Sequence, residues 1–504
     1  SWFNTAFSFQ QVASNAEFLG EAVVPAQLTP ERASAAAGIG VVDAKSFDSV
    51  VAAADRFTLA FVRSIVTQAF TPAKELVRGW SVAVGETYLE RHGLSDVDSS
   101  FALHGVHHEK AKQTLKPHAT KVVYTACREP AMPFPIITCC IACPDDGTDA
   151  TSLFLPMEWT PLYVGVPTLP SVCPPSVPLG GVLVEPIGAC STPPSAVSSA
   201  WAQAHKRCAL RPRGTAAHAH EDEAEERGEG LLAYHPHVAA THVEEVAVAV
   251  RRVTPLVEVA GMSSAFGAMG SNSTRTCLWR KAGNPSLSLW GYALRGGDFG
   301  CCDAARYDNL AIYPQLRRGV RALLICFASA ETPNDAETFA AKVPYLAAYF
   351  GCVPKESAFE SPNGALQGDG WNAFCRVFER EGYEAIVNQL IQSAASGGAA
   401  YARARLLVVP NTFQGVNHAY EVDTLWLLNE GRDEWSADLP ADSKKLVDSY
   451  TQIDSFPHTA NLQAKSKGKH RPELMSAYLS NLATWNVVKI EKEIRNLIES
   501  AKIE

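Results

Sequence analysis

Apolar positions in the first part of the chain recur mostly at helical spacing. Residues 2–19 carry their aromatic side chains on one side of a helix, so the sequence predicts a buried helix there. Further helical patterns follow near residues 46–70 and 73–92, and the second one closes on Gly93 as a helix C-cap does. The chain therefore opens with a helical region.

Strand patterns come next. Residues 121–127 are rich in β-branched side chains, residues 133–143 read PFPIITCCIAC, and residues 151–159 read TSLFLPMEW. Residues 160–196 are rich in proline and glycine but keep apolar residues between them, which indicates a long irregular crossing rather than a flexible linker.

The second half alternates strand and helix patterns. Buried continuous strands separated by helices are typical of a parallel sheet that is covered on both faces. The sequence therefore predicts an α/β fold with a mostly parallel sheet flanked by helices. The predicted strands are 291–299, 320–328, 404–409 and 418–428, and the predicted helices are 307–318, 336–349 and 381–396.

We expect residues 1–504 to form a single large domain. Residues 202–242 interrupt it with basic pairs and an acidic run, which indicates a solvated surface insertion. Residues 487–504 place their apolar side chains on one stripe, with Glu491 and Arg495 as an i,i+4 pair, and predict a closing amphipathic helix. Docking on its own domain is the favoured role for that helix, with lipid or a partner as the alternative.

Composition narrows the functional class. The 504 residues are 47% hydrophobic, so a large core can form. Acidic residues number 53 against 44 basic ones, which disfavours a nucleic-acid-binding protein. No run of 18 apolar residues occurs, so no transmembrane span is predicted, although a membrane surface stays open. The 13 cysteines have no disulfide-scaffold spacing and favour a reducing intracellular compartment.

The segment around Asp303 is the most informative for chemistry. Small residues precede it, which places its carboxylate at the end of a strand and just before a helix. Ligands of α/β sheets bind at the carboxyl ends of strands, and a carboxylate there can act as a general base. The alternative is that Asp303 or Asp308 only caps the helix that follows.

Other chemical groups are weaker candidates. Ser263 follows the apolar run 256–260 and a glycine, which is a possible setting for a nucleophile, but a serine that caps a helix fits the same pattern. One histidine group spans residues 104–108 and a second spans residues 218–242. Neither has a convincing set of cysteine or carboxylate partners, so we predict no metal and no cofactor.

Three segments together resemble one family. Residues 303–320, DAARYDNLAIYPQLRRGV, are similar to the D-G-G-x-x-D-N-L-x-x-x-P-L-L-x-R block of patatin-like lipid acyl hydrolases, and most closely to the lysophospholipase and cytosolic phospholipase A2 catalytic domain. Residues 133–138 and 157–165 look like that family's P-x-P-I-x-T and E-F-T-P-Y-x-x-G pair. Residues 261–266 resemble its later serine-rich turn, and the order of the segments matches.

The resemblance implies a patatin-like fold and a Ser–Asp dyad that hydrolyses acyl esters of phospholipids or lysophospholipids. Asp303 is then the dyad base. Arg317 or Arg318 falls where a phosphate-facing arginine is expected, and Ser263 is carried over as a third substrate-binding residue.

Two departures from the family leave a second function open. The sequence starts with Ser1-Trp2-Phe3, which looks like the tail of the nucleophile elbow, so the resemblance places the serine upstream of Ser1. An N-terminal fragment or a protein partner would then complete the sheet. Ala304 and Ala305 stand where the family prefers glycine, which adds methyl groups beside the carboxylate. The alternative function is therefore a catalytically inactive family member that serves as a structural or binding subunit.

Overall fold

Helices and several small sheets, both antiparallel and mixed, make up the fold in a computed structural model of the chain. At this coarse level the predicted α/β class is confirmed. The structure describes residues 8–9, 23–34, 84–96, 99–102, 109, 122–125, 134–142, 154–167, 182–184, 191–192, 249–250, 254–263, 286–287, 299–304, 308–329, 335–354, 369–430, 432–454, 456–458 and 472–502.

The described strands fall into four sheets, and the largest has six strands. The strands, numbered along the chain, are β1 (Ser99–Ala102), β2 (Val122–Thr125), β3 (Ile137–Ala142), β4 (Phe154–Trp159), β5 (Val164–Val166), β6 (Val182–Val184), β7 (Ser191–Thr192), β8 (Ala249–Val250), β9 (Ser286–Leu287), β10 (Phe299–Asp303), β11 (Ala322–Phe327), β12 (Ala400–Val408) and β13 (Tyr420–Leu428).

The six-stranded sheet has the order β6-β5-β4-β3-β10-β9, and every neighbouring pair in it is antiparallel. Among the described ladders only β1–β2 and β11–β13 are parallel. The expectation of a mostly parallel sheet is therefore not met in this part of the chain. The reason is that β3 and β4 bury both faces, so their apolar runs match a buried parallel strand although the chain reverses between them.

A three-stranded sheet of order β11-β13-β12 separates two apolar cores. Leu323, Ile325 and Phe327 of β11 point into the core that also contains β3 and β4. Leu425 and Leu427 of β13 point the other way, into a core with the C-terminal helices. Because successive side chains point to opposite faces, the two faces of this one sheet contribute to two different cores.

Helices fill the spaces between and around these sheets. The predicted helix 336–349 is divided in two by Pro344, and the predicted segment 487–504 is divided at Ile490. The described α-helices are α1 (Pro30–Ser34), α2 (Leu256–Ser263), α3 (Ile312–Arg317), α4 (Ala336–Lys342), α5 (Pro344–Tyr349), α6 (Asp369–Cys375), α7 (Glu381–Ala395), α8 (Arg432–Ala437), α9 (Ala441–Asp454), α10 (Pro472–Lys489) and α11 (Glu491–Ser500).

Helix α11 lies on the three-stranded sheet, against β11 and β13. It buries Leu497 in the core of the C-terminal helices, and Glu493 pairs with Arg403 of β12 at 3.2 Å. The helical turn at Glu90–His92 ends on Gly93, whose φ of 67° is the left-handed conformation of a C-cap glycine. The predicted helix near 46–70 and the insertion at 202–242 lie outside the described residues.

Candidate functional site

Asp303 is the last residue of β10, at the rim of the six-stranded sheet. Its partner in the ladder is Cys139 of β3, and its side chain is half-buried. Helix α3 begins nine residues later, at Ile312. The carboxylate thus lies at the carboxyl end of a strand and ahead of a helix, as the sequence predicts. The predicted strand covered residues 291–299, whereas the observed strand begins at Phe299 and includes Asp303.

The strand registers divide the rim into two faces. Asp303 pairs with Cys139, and Cys139 pairs with Met157, so these three side chains share what we call the Asp303 face. Thr138 pairs with Glu158, and both point to the opposite surface, the Glu158 face. Acidic side chains therefore stand on both sides of the same rim.

Ser263 ends helix α2, which packs against β3 and β10. The apolar run 256–260 is part of that helix rather than a lead into a turn, so Ser263 does not have the strand-to-helix setting of a nucleophile elbow. Its hydroxyl donates to the carbonyl oxygen of Thr138 at 2.7 Å, next to the Cys139–Asp303 pair. The structure therefore brings Ser263 and Asp303 to neighbouring residues of β3.

Arg317 and Arg318 converge on the buried carboxylate of Glu158. Arg317 donates through Nε to Glu158 at 3.0 Å and through Nη2 to the same oxygen, and Nη1 reaches the carbonyl oxygen of Gln414 at 2.7 Å. Arg318 donates through Nη2 to the other oxygen at 2.7 Å. Glu158 is 2% exposed, so two guanidinium groups share one buried carboxylate. Attraction in this low-dielectric setting is strong, but desolvation of three charges offsets much of it.

A tight turn after β4 brings a third partner to Glu158. The Thr160 hydroxyl oxygen accepts the backbone N–H groups of Leu162 and Tyr163 and donates to the Tyr163 carbonyl oxygen. The turn lets the Tyr163 hydroxyl donate to Glu158 at 2.7 Å, while the guanidinium of Arg318 lies 5.7 Å from the Tyr163 ring centre. Residues 158–163 (EWTPLY) therefore combine a buried acid, a turn that the Thr160 hydroxyl holds together, and a tyrosine that hydrogen-bonds to the acid.

Asp308 acts as the helix cap that the sequence left open as an alternative. Its carboxylate accepts the backbone N–H groups of Ile312 at 2.9 Å and Tyr313 at 3.2 Å, and the Tyr349 hydroxyl at 2.6 Å. Burial raises the pKa of Asp308 to about 6, against the hydrogen bonds and the Arg317 charge, which lower it. Between this cap and α3, Ala311 has a φ of 53°, an uncommon left-handed conformation for alanine.

The four side chains predicted for the site thus form two groups. Ser263 lies close to the Cys139–Asp303 pair, whereas Arg317 and Arg318 gather on the Glu158 face. Sequence reasoning missed Glu158 as their shared partner. Its signal was a lone acidic residue inside an otherwise apolar strand, a position where a charge is almost always paired.

Both predicted histidine groups lie outside the described part of the chain. In the part that is described, no cluster of three or more His, Cys, Asp and Glu residues is arranged to hold a metal ion. The described helices also include none with the length and apolar character needed to cross a bilayer.

Comparison with known proteins adds no relative to this geometry. No protein-family model, no curated protein and no solved structure matches the chain.

Proposed function

We propose that the protein hydrolyses the acyl ester of a phospholipid or lysophospholipid, with Asp303 as the general base and a patatin-like or lysophospholipase-like architecture. The observation that carries this proposal is the position of Asp303, half-buried at the carboxyl end of β10 and close to Ser263. A partly exposed carboxylate can act as a general base for a hydroxyl that comes within hydrogen-bond reach.

The proposed reaction is an acyl transfer in two halves. A serine hydroxyl, which the family resemblance places upstream of Ser1, attacks the ester carbonyl carbon while Asp303 takes its proton. The tetrahedral intermediate expels the glycerol oxygen, which recovers that proton from Asp303. Water then attacks the acyl-enzyme with Asp303 again as base, which releases the fatty acid and restores the serine.

The charge on the Glu158 face supports a substrate that carries a phosphate. Two guanidinium groups face the Glu158 carboxylate there, and the Arg317 charge also acts on Asp308. The side chain of Arg317 is 9% exposed and is saturated by Glu158 and Gln414, whereas that of Arg318 is 28% exposed. We therefore assign the phosphate contact to Arg318 and a positioning role to Arg317.

The second candidate function is a catalytically inactive binding subunit. It is favoured by Ala304, whose methyl group is buried in the core directly after Asp303, where the family prefers glycine. A methyl group there reduces the room beside the carboxylate.

The test compares wild-type full-length protein with Asp303→Asn on a lysophospholipid substrate. The amide cannot accept the serine proton, so we expect kcat to fall by at least about a hundredfold, with folding retained. Asp448→Asn, which changes an exposed carboxylate on α9, is the matched control and should keep wild-type turnover.

A fluorophosphonate probe then separates the two candidate functions. Labelling of a serine upstream of Ser1 supports the hydrolase, and undiminished turnover in Asp303→Asn would refute Asp303 as the base. Binding of lipid with neither turnover nor labelling in the wild type would favour the inactive subunit.

A further inference from the structure

One buried hydrogen-bond donor at the rim has no acceptor. The indole nitrogen of Trp159 is fully buried and has no hydrogen-bond partner among the described residues. Leaving such a donor unpaired costs about 1–3 kcal/mol, and native proteins rarely retain one without a reason.

In the described part of the chain, the other two fully buried tryptophans have hydrogen-bond acceptors. Trp426 donates to the Thr424 hydroxyl oxygen at 2.9 Å, and Trp435 donates to the Asn481 side-chain oxygen at 2.9 Å. The unpaired donor is therefore a property of the Trp159 position and not of buried tryptophans in this fold.

Strand register places Trp159 on the Asp303 face. Trp159 lies two residues beyond Met157 on β4, so both point to the same side, and its ladder partner is Ile137 at the start of β3. The row that holds Trp159 is thus the next one along the rim from the row that holds Asp303. A molecule bound over the Asp303 carboxylate would extend towards this indole.

The surroundings of Trp159 select the kind of group that it can bind. Its ring centre lies 6.2 Å from that of Phe101, which in turn lies 5.7 Å from that of Phe9. An anion is disfavoured in this aromatic setting, because desolvation is costly and the Asp303 carboxylate shares the face. The arginines that suit a phosphate are on the opposite face. A neutral carbonyl oxygen with an acyl chain behind it fits both the donor and the aromatic rings.

We propose that the indole N–H of Trp159 binds the ester carbonyl oxygen of the acyl substrate, with the start of the acyl chain against Phe101 and Phe9. The inference rests on the proposed function for the identity of the substrate. It adds a substrate-binding residue to the reaction and assigns the acyl group to the Asp303 face.

The test measures binding without turnover in the full-length Asp303→Asn protein. Two probes are used below their micelle concentrations, monodecanoyl glycerophosphocholine and its alkyl-ether counterpart, which lacks the carbonyl oxygen. Trp159→Phe keeps an aromatic ring but removes the donor. We expect it to weaken binding of the ester roughly tenfold and to leave binding of the ether within about twofold, as the loss of one neutral hydrogen bond predicts.

Trp426→Phe is the matched control, because it makes the same change in a buried tryptophan of the three-stranded sheet. It should alter neither the ester affinity nor the ester-to-ether ratio. The ratio is taken on one preparation, so a partly unfolded variant changes both affinities equally and leaves the ratio intact.

An equal loss for both probes, no loss for either, or no binding by the parent protein would overturn the inference. Failure of the two proposals can be told apart. A carbonyl-selective loss in a protein that never hydrolyses ester would keep the Trp159 contact and remove the hydrolase. Turnover that depends on Asp303, with no carbonyl selectivity in binding, would keep the hydrolase and remove the Trp159 contact.

Discussion

Buried polar groups are paired differently in two regions of the molecule, the three-stranded sheet and the rim of the six-stranded sheet. In the three-stranded sheet, Thr424 accepts from Trp426 and donates to the Ala404 carbonyl oxygen at 2.8 Å. Its β12 edge is covered by α7, where the Ser393 hydroxyl oxygen accepts the Tyr401 N–H at 2.9 Å. These polar groups are neutral and paired with neighbours.

The rim of the six-stranded sheet concentrates the costly features instead. It contains a carboxylate buried between two arginines at Glu158 and, among the described residues, a donor without an acceptor at Trp159. The segment that precedes α3 adds a left-handed alanine, Ala311. Asp308, nearby, carries a raised pKa. Departures from the rules of stable packing collect at functional sites, because binding and catalysis need groups that the fold alone does not satisfy. The contrast is what we expect if the rim is the working region, as proposed above, and the three-stranded sheet is scaffold.

The largest effect that tests this contrast is the removal of the buried charge. Glu158→Gln leaves Arg317 and Arg318 without a carboxylate in a buried setting, so we expect the free energy of unfolding to fall by about 3–5 kcal/mol. Urea denaturation measures it.

The three-stranded sheet offers the matched control. Glu421 of β13 pairs with Arg405 at 2.8 Å, but both side chains are more than half exposed. Glu421→Gln should therefore change the free energy of unfolding by less than about 1 kcal/mol. Similar losses in the two variants would contradict the distinction between the regions.

The next effect is a pH dependence from Asp308. Its pKa rises from the ordinary 3.8 to about 6 on folding, so the folded protein holds this proton more tightly than the unfolded chain. The resulting stability is fully present below about pH 4 and is lost as the pH rises through 6, by about 3 kcal/mol in total. Unfolding of wild type and Asp308→Asn at pH 4, 5 and 6 measures the difference between their slopes.

Asp308→Asn keeps an acceptor for Ile312 and Tyr349 but cannot titrate. Other carboxylates contribute equally to both proteins, so the difference isolates this one group. Parallel pH profiles would show that Asp308 does not exchange its proton on folding.

The smallest expected effect is a gain, not a loss, in the free energy of unfolding. Ala311→Gly removes the steric cost of a φ of 53°, so it should raise the free energy of unfolding by about 1 kcal/mol. Ala341→Gly in the exposed part of α4 is the control and should lower it by about the same amount. Thermal unfolding of both variants gives the two signs, and a loss at both positions would mean that the left-handed conformation stores no strain.

Local sequence patterns predicted much of the element content. The apolar run 320–328 forms β11, and the helical pattern 381–396 forms α7. Asp303 ends its strand as the small residues around it indicated, and Asp308 caps the helix that follows, as the alternative for that segment stated. These features depend on residues within a few positions of one another, which is the range that periodicity and capping patterns report.

Partners distant in sequence came only from the tertiary structure. Antiparallel pairing of β3, β4 and β10, the contact of Ser263 with Thr138, and the meeting of Glu158 with Arg317 all join segments far apart along the chain. The unpaired Trp159 donor is likewise a property of what surrounds it. The sequence by itself determined which segments become strands and helices and which side chains can do chemistry. Tertiary packing decided which of them face one another, because strand pairing and charge burial depend on the free energy of the whole core and not on local pattern.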